Sequence, residues 1–149
     1  CRFPDRITAI VSFAGMTFLD PDDCRNAGTE QLVHILHIHG DSDLVVSYQG
    51  GSSLGIIPAP AFYPGALKTI ENWAYTMKNS GDCDQAAMPT TVLENLPLIV
   101  GNVDVDVHKY ECSHPNASVT HWKLQEVGHL PAFSEDFSKT ILSYLFELE

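Results

Sequence analysis

Two stretches of this chain are apolar on both faces, and they constrain its fold more than any other feature. Ile7-Thr8-Ala9-Ile10-Val11-Ser12-Phe13-Ala14 ends at Gly15, and Leu32-Val33-His34-Ile35-Leu36-His37-Ile38 stops at His39-Gly40. Strand-length runs without polar alternation belong inside a parallel sheet, covered on both faces. They fall far short of the roughly 20 apolar residues that cross a bilayer. From 66 to 78, Leu67, Ile70, Trp73, Ala74 and Met77 recur at helical spacing, and Asn79-Ser80-Gly81 ends that helix. Val103, Val105 and Val107 alternate with Asp104, Asp106 and His108, which predicts a half-buried edge strand turning near Pro115-Asn116. Residues 119–127 predict a further strand. A last helix is predicted from Ser134, with Glu135 and Asp136 in its first turn, where acids suit the dipole. Its apolar stripe is Phe137, Ile141, Tyr144, Leu145 and Leu148. Residues 17–30 and 41–65 read as loops. This succession predicts a single α/β domain over residues 1–149, a piece of a doubly wound, mostly parallel sheet.

Charge narrows the partners. Eight Lys and Arg against nineteen Asp and Glu give −11, a surface that repels nucleic acid and anionic membrane. Cys1, Cys24, Cys83 and Cys112 form an even set with no Cys-x-x-Cys pair, which disfavours zinc ribbons and thioredoxin-like sites. Four cysteines allow three pairings, and the sequence leaves all three open. With the acidity and the sequon Asn116-Ala117-Ser118, two disulfides in a secreted protein are favoured over four buried thiols. A chain opening at Cys1-Arg2-Phe3-Pro4-Asp5 suits a mature secreted protein or a fragment. No metal is expected: alternation puts His37 and His39 on one strand face and His34 on the other, and Asp104-Val105-Asp106 lacks the glycine and terminal Glu of a calcium loop. Nothing resembles a dinucleotide or phosphate loop, so no cofactor is expected.

The chemistry lies where the strands end, since open α/β sheets carry reactive groups beyond the carboxyl ends of their strands. His39-Gly40-Asp41-Ser42-Asp43-Leu44-Val45-Val46 follows one strand; Val127-Gly128-His129-Leu130-Pro131 follows another. A carboxylate with a histidine much later is the chain order of a Ser…Asp…His triad. In it the carboxylate orients the imidazole, which takes the proton of the nucleophile. Gly51-Ser52-Ser53-Leu54-Gly55 fits Gly-x-Ser-x-Gly literally. Its serine follows the acid, and Pro58 and Pro60 forbid the helix such an elbow needs. Tyr48 and Trp122 are candidate pocket walls for an aromatic acyl group or sugar, although a packing role is the favoured reading of both.

The segments Cys1–Val11, Val33–Asp43 and Val46–Gly51, with Trp73, resemble the polyhydroxybutyrate depolymerase/feruloyl esterase-like family of secreted α/β-hydrolases. His39 to Gly51 is the most specific part. The resemblance implies a serine carboxylesterase, with Asp43 rather than Asp41 as triad acid and His129 as base. It places the nucleophilic serine and oxyanion hole upstream of residue 1, so that these residues form the C-terminal half of such an enzyme, inactive alone. It implies disulfides Cys83–Cys112 and Cys1–Cys24. The implied substrate is a polymer- or polysaccharide-linked ester: a polyhydroxyalkanoate, or a feruloyl or acetyl sugar. The family often has a Gly-Gly-Gly-His-Thr-Trp-Pro-like stretch, where this chain reads Glu126-Val127-Gly128-His129-Leu130-Pro131. The rivals are a peptidase on the same fold and a non-catalytic polysaccharide- or polymer-binding module.

Overall fold

The computed structural model describes residues 6–17, 19–20, 33–52, 62–81, 83–84, 91–96, 100 and 103–146. Among the described residues eight strands and two helices run in the order β1 (Ala9–Phe13), β2 (His34–Gly40), β3 (Gly50–Ser52), β4 (Phe62–Pro64), α1 (Ala66–Gly81), β5 (Cys83–Asp84), β6 (Thr91–Leu96), β7 (Val103–Cys112), β8 (Ser118–Leu124) and α2 (Phe137–Phe146).

The two apolar runs pair in parallel as β1 and β2, with Ala9 opposite His34 and Phe13 opposite Ile38. On its other side β2 takes β8, also in parallel. All seven residues of β2 are buried, as befits a strand with neighbours on both sides and cover on both faces, its three histidines included. Its alternate residues feed two cores. Ile35, with Val33 just before the strand, packs with Ile70 and Ala74 of α1 and with Val119. Leu36 and Ile38 pack with Val105, Val107, Trp122 and Leu124, against which Phe137, Ile141 and Tyr144 of α2 lie. Leu67 departs from the expected stripe of α1 and stands exposed.

The expectation of a doubly wound, mostly parallel α/β-hydrolase fragment is overturned. The sheet is mixed: β7 runs antiparallel to β8, and β5 and β6 both pair antiparallel to β7 on its far side. A separate antiparallel pair, β3 and β4, occupies the segment expected to be loop. The reason is connection length. Residues 113–117 join β7 to β8, a turn that admits a hairpin, whereas a parallel crossover needs a dozen residues or more. Nor is β7 an edge strand; its valine–acid alternation marks one buried and one wetter face. Val105 and Val107 enter the core, while Asp106 sits beside Lys123 at 3.5 Å. The last helix begins at Phe137, whose N–H bonds to Ser134 O, three residues later than expected.

Cys83 and Cys112 are register partners of β5 and β7 and form a disulfide. Closing a loop over a separation of 29 residues, it stabilises the fold by about 3 kcal/mol through restriction of the unfolded chain. Cys1 and Cys24 lie outside the described residues. Among the described residues no helix is long and apolar enough to cross a membrane.

Candidate active site

Both loops singled out by the sequence leave the same end of the sheet. Gly40 and Leu124 end β2 and β8 opposite one another, so the chain emerges from both strands side by side. Asp41 N–H bonds to Leu124 O and Ser42 N–H to Val127 O, each at 3.0 Å, tying the two loops together. Gly40 permits this approach. A Cβ there would collide with the Val127 carbonyl and lie 3.0 Å from Gly128 O.

Asp43 sits in this seam with its side chain fully buried, and a carboxylate removed from water needs donors. Its Oδ1 accepts the N–H groups of Val45 and Val46, both at 2.8 Å, so the loop wraps around its own acid. Its Oδ2 accepts from Nδ1 of His129 at 2.8 Å. Burial alone would raise the Asp43 carboxyl. The hydrogen bond from His129 and the N–H groups of Val46 and Val45 outweigh it, holding the group below the usual carboxylate range. An ionised acceptor at Nδ1 assigns the proton of His129 to that nitrogen, leaving Nε2 as its basic atom. The His129 side chain is 28% exposed. Leu44 and Leu130, next in sequence to the acid and the imidazole, are 86% and 81% exposed. The arrangement is that of a base at the surface, held by a buried anion.

Asp41 has a different position. Its Oδ1 accepts Glu126 N–H at 2.7 Å and its Oδ2 lies 3.3 Å from Lys123 Nζ. It braces the turn at Gln125–Glu126, where Glu126 has φ +60°, and the His129 contact goes to Asp43.

Beneath the pair lies a row of imidazoles on the α1 side of the sheet. His37, His121 and His108 are register partners across β2, β8 and β7. His121 donates from Nδ1 to His37 O at 3.0 Å and accepts at Nε2 from the Tyr48 hydroxyl at 2.8 Å. Burial pushes His121 down to about 3 and His37 well below its ordinary value, so both rings are neutral. His39 contacts Val46 O through Nε2 at 2.9 Å and stands 3.3 Å from Asp43 Oδ2. His34, on the opposite face, meets Ser118 Oγ at 2.9 Å. Among the described residues no group of three or more His, Cys, Asp or Glu is arranged to hold a metal ion.

The two aromatic candidates separate. Trp122 is 5% exposed and packs on Tyr144 of α2 with ring centroids 5.6 Å apart, a core position that offers no wall to a substrate. Tyr48 is also buried and is committed to His121. It contributes to a cleft of about 250 Å³ shared with Gln49, Gly65, Leu67, Lys68 and Glu71, which neither Asp43 nor His129 lines. Ser53 of the literal Gly-x-Ser-x-Gly lies outside the described residues. Two features were missed from sequence: the Tyr48–His121 bond, and His39 beneath the acid. Strand alternation already put His37 and His39 on one face, but only the β2–β8 register brings His121 to them. The chain matches no protein-family model, and no curated protein matches it at a significant level.

Proposed function

We propose that this chain carries the acid–base pair of a secreted serine carboxylic-ester hydrolase, with His129 as general base and Asp43 as the anion that orients it. The observation that carries the reading is the 2.8 Å bond from His129 Nδ1 to a fully buried carboxylate already held by two backbone donors. Burying an anion is costly, and a surface histidine needs no such partner for packing or solubility. In a hydrolase the pairing has a purpose. It fixes the tautomer so that Nε2 takes the proton of a serine hydroxyl during acylation, and the carboxylate stabilises the imidazolium that forms. His129 returns the proton to the leaving alcohol, then activates the water that cleaves the acyl-enzyme.

The serine and the oxyanion donors are proposed to come from sequence preceding residue 1, and the substrate to be a polymer- or polysaccharide-linked ester. The disulfide Cys83–Cys112 supports an extracellular setting.

The test is expression of the natural reading frame with its preceding sequence, followed by p-nitrophenyl butyrate and methyl ferulate hydrolysis and labelling by a fluorophosphonate. The expected outcome is one labelled serine and ester turnover. Asp43→Asn should lower turnover by roughly 10⁴-fold, and His129→Ala by at least as much. A longer protein that takes no label, or whose turnover is unchanged by Asp43→Asn, would refute the assignment.

A further inference from the structure

Asp43 Oδ2 faces two imidazoles. His129 approaches from the surface at 2.8 Å and His39, only 1% exposed, from beneath at 3.3 Å. The Nε2 of His39 is hydrogen-bonded to Val46 O at 2.9 Å and has the carboxylate 3.3 Å away, both of them acceptors, so that nitrogen carries the proton. The ring is neutral, because burial lowers His39 against the opposing pull of Val46 and Asp43. A neutral ring protonated at Nε2 has a bare lone pair at Nδ1, and the Nδ1 atoms of His39 and His37 are buried without a partner. An unpaired buried acceptor is destabilising, and a phenylalanine would fill the same volume without one. The ring is also locked in plane, stacked on His37 at 5.4 Å and against the edge of Tyr48 at 5.5 Å. Its single N–H is therefore aimed by its neighbours at the point where the loop closes on the acid.

We propose that His39 is a positioning residue for the Asp43–His129 pair: its Nε2–H pins Val46 and the carboxylate together, so that Oδ2 is turned toward His129. The inference rests on the hydrolase reading of that pair but is tested without turnover. Without this donor the carboxylate keeps its two bonds at Oδ1 and is free to roll about them, and the His129 bond lengthens.

The experiment follows the His129 Nδ1–H proton by NMR in the 149-residue chain, in the wild type and in H39F, H39Q and D43N, with circular dichroism and thermal melts as checks on folding. The wild type should show a downfield, slowly exchanging resonance that D43N abolishes. H39F keeps the ring volume but not the donor, and should shift that resonance upfield and speed its exchange by about tenfold, the effect of weakening one hydrogen bond. H39Q, whose amide nitrogen reaches the Nε2 position, should restore it. If H39F does not fold, H39N replaces it, since its shorter amide reaches only the Nδ1 position and should lose the signal. A wild-type resonance in H39F or H39N, or equal disturbance by H39Q, would show that His39 only packs. No such resonance in the wild type, or its survival in D43N, would overturn the pair itself and the role of His39 with it.

Discussion

Single atoms decide much at the residue scale, because the buried imidazoles of this sheet are bonded through specific nitrogens. Tyr48 shows this most clearly. Its hydroxyl is the donor to His121 Nε2, on a residue with no exposed surface. Tyr48→Phe removes one oxygen and leaves that nitrogen buried without a partner. The expected cost is about 1–3 kcal/mol, read as a lower urea midpoint at an unchanged denaturant slope. A variant as stable as the parent would mean that His121 finds another donor. The same burial drives the hydroxyl of Tyr48 above its ordinary range, with the nearby charges of Asp41 and Asp106 adding to it, so it remains a donor at any ordinary pH.

Elements matter through where they end. β2 and β8 stop opposite each other, and Gly40 lets the following loops close to hydrogen-bonding distance. Gly40→Ala should push residues 127–128 outward, costing about 1–3 kcal/mol by overpacking and weakening the Asp43–His129 bond. A thermal melt and the His129 ring resonances check both; a variant with wild-type melting and an intact bond would mean that the loops do not depend on this approach. Much of the site was legible at this level. The runs before Gly15 and Gly40 marked two parallel strands, of which only β2 is buried throughout while β1, at the end of the sheet, is half-buried, and the acid and the histidine stood beyond strand ends in triad order. What failed was topology. Hydrophobic alternation at Val103, Val105 and Val107 is the same for an edge strand and for an interior antiparallel strand with one wet face, so it could not reveal β5 and β6 on the far side of β7. The hairpin β3–β4 hid in a segment whose glycines and prolines suggested loop. There Gly50 takes φ +82° and a Cβ would press on Gly65 N at 2.5 Å, a close crossing that periodicity cannot signal.

Acid sensitivity belongs to the molecule as a whole. His37, His39 and His121 all titrate below the ordinary 6.5 in the folded state, His121 near 3, so the unfolded chain takes up protons first. Their contribution is complete above about pH 6.5 and is lost as pH falls toward those depressed values. Each ring neutral when folded and charged when unfolded costs about 1.4 kcal/mol per pH unit over that range. Asp43 has the same sign but acts lower, around and below the ordinary 3.8. The urea midpoint should therefore fall clearly between pH 7 and pH 5; a flat profile to pH 4 would count against neutral buried rings. The strand order also has a temporal consequence. β8 lies between β2 and β7, yet His34 and Ser118 are 84 residues apart. At about 5–20 residues per second of synthesis, β2 waits roughly 4–17 seconds before its neighbour has been made. Through that interval a strand that ends fully buried has one row of backbone donors and acceptors open to any passing chain, and the acid of the site exists without its histidine. The pair can form only after β8 has been made, so its formation reports that the described strands of the sheet are in place.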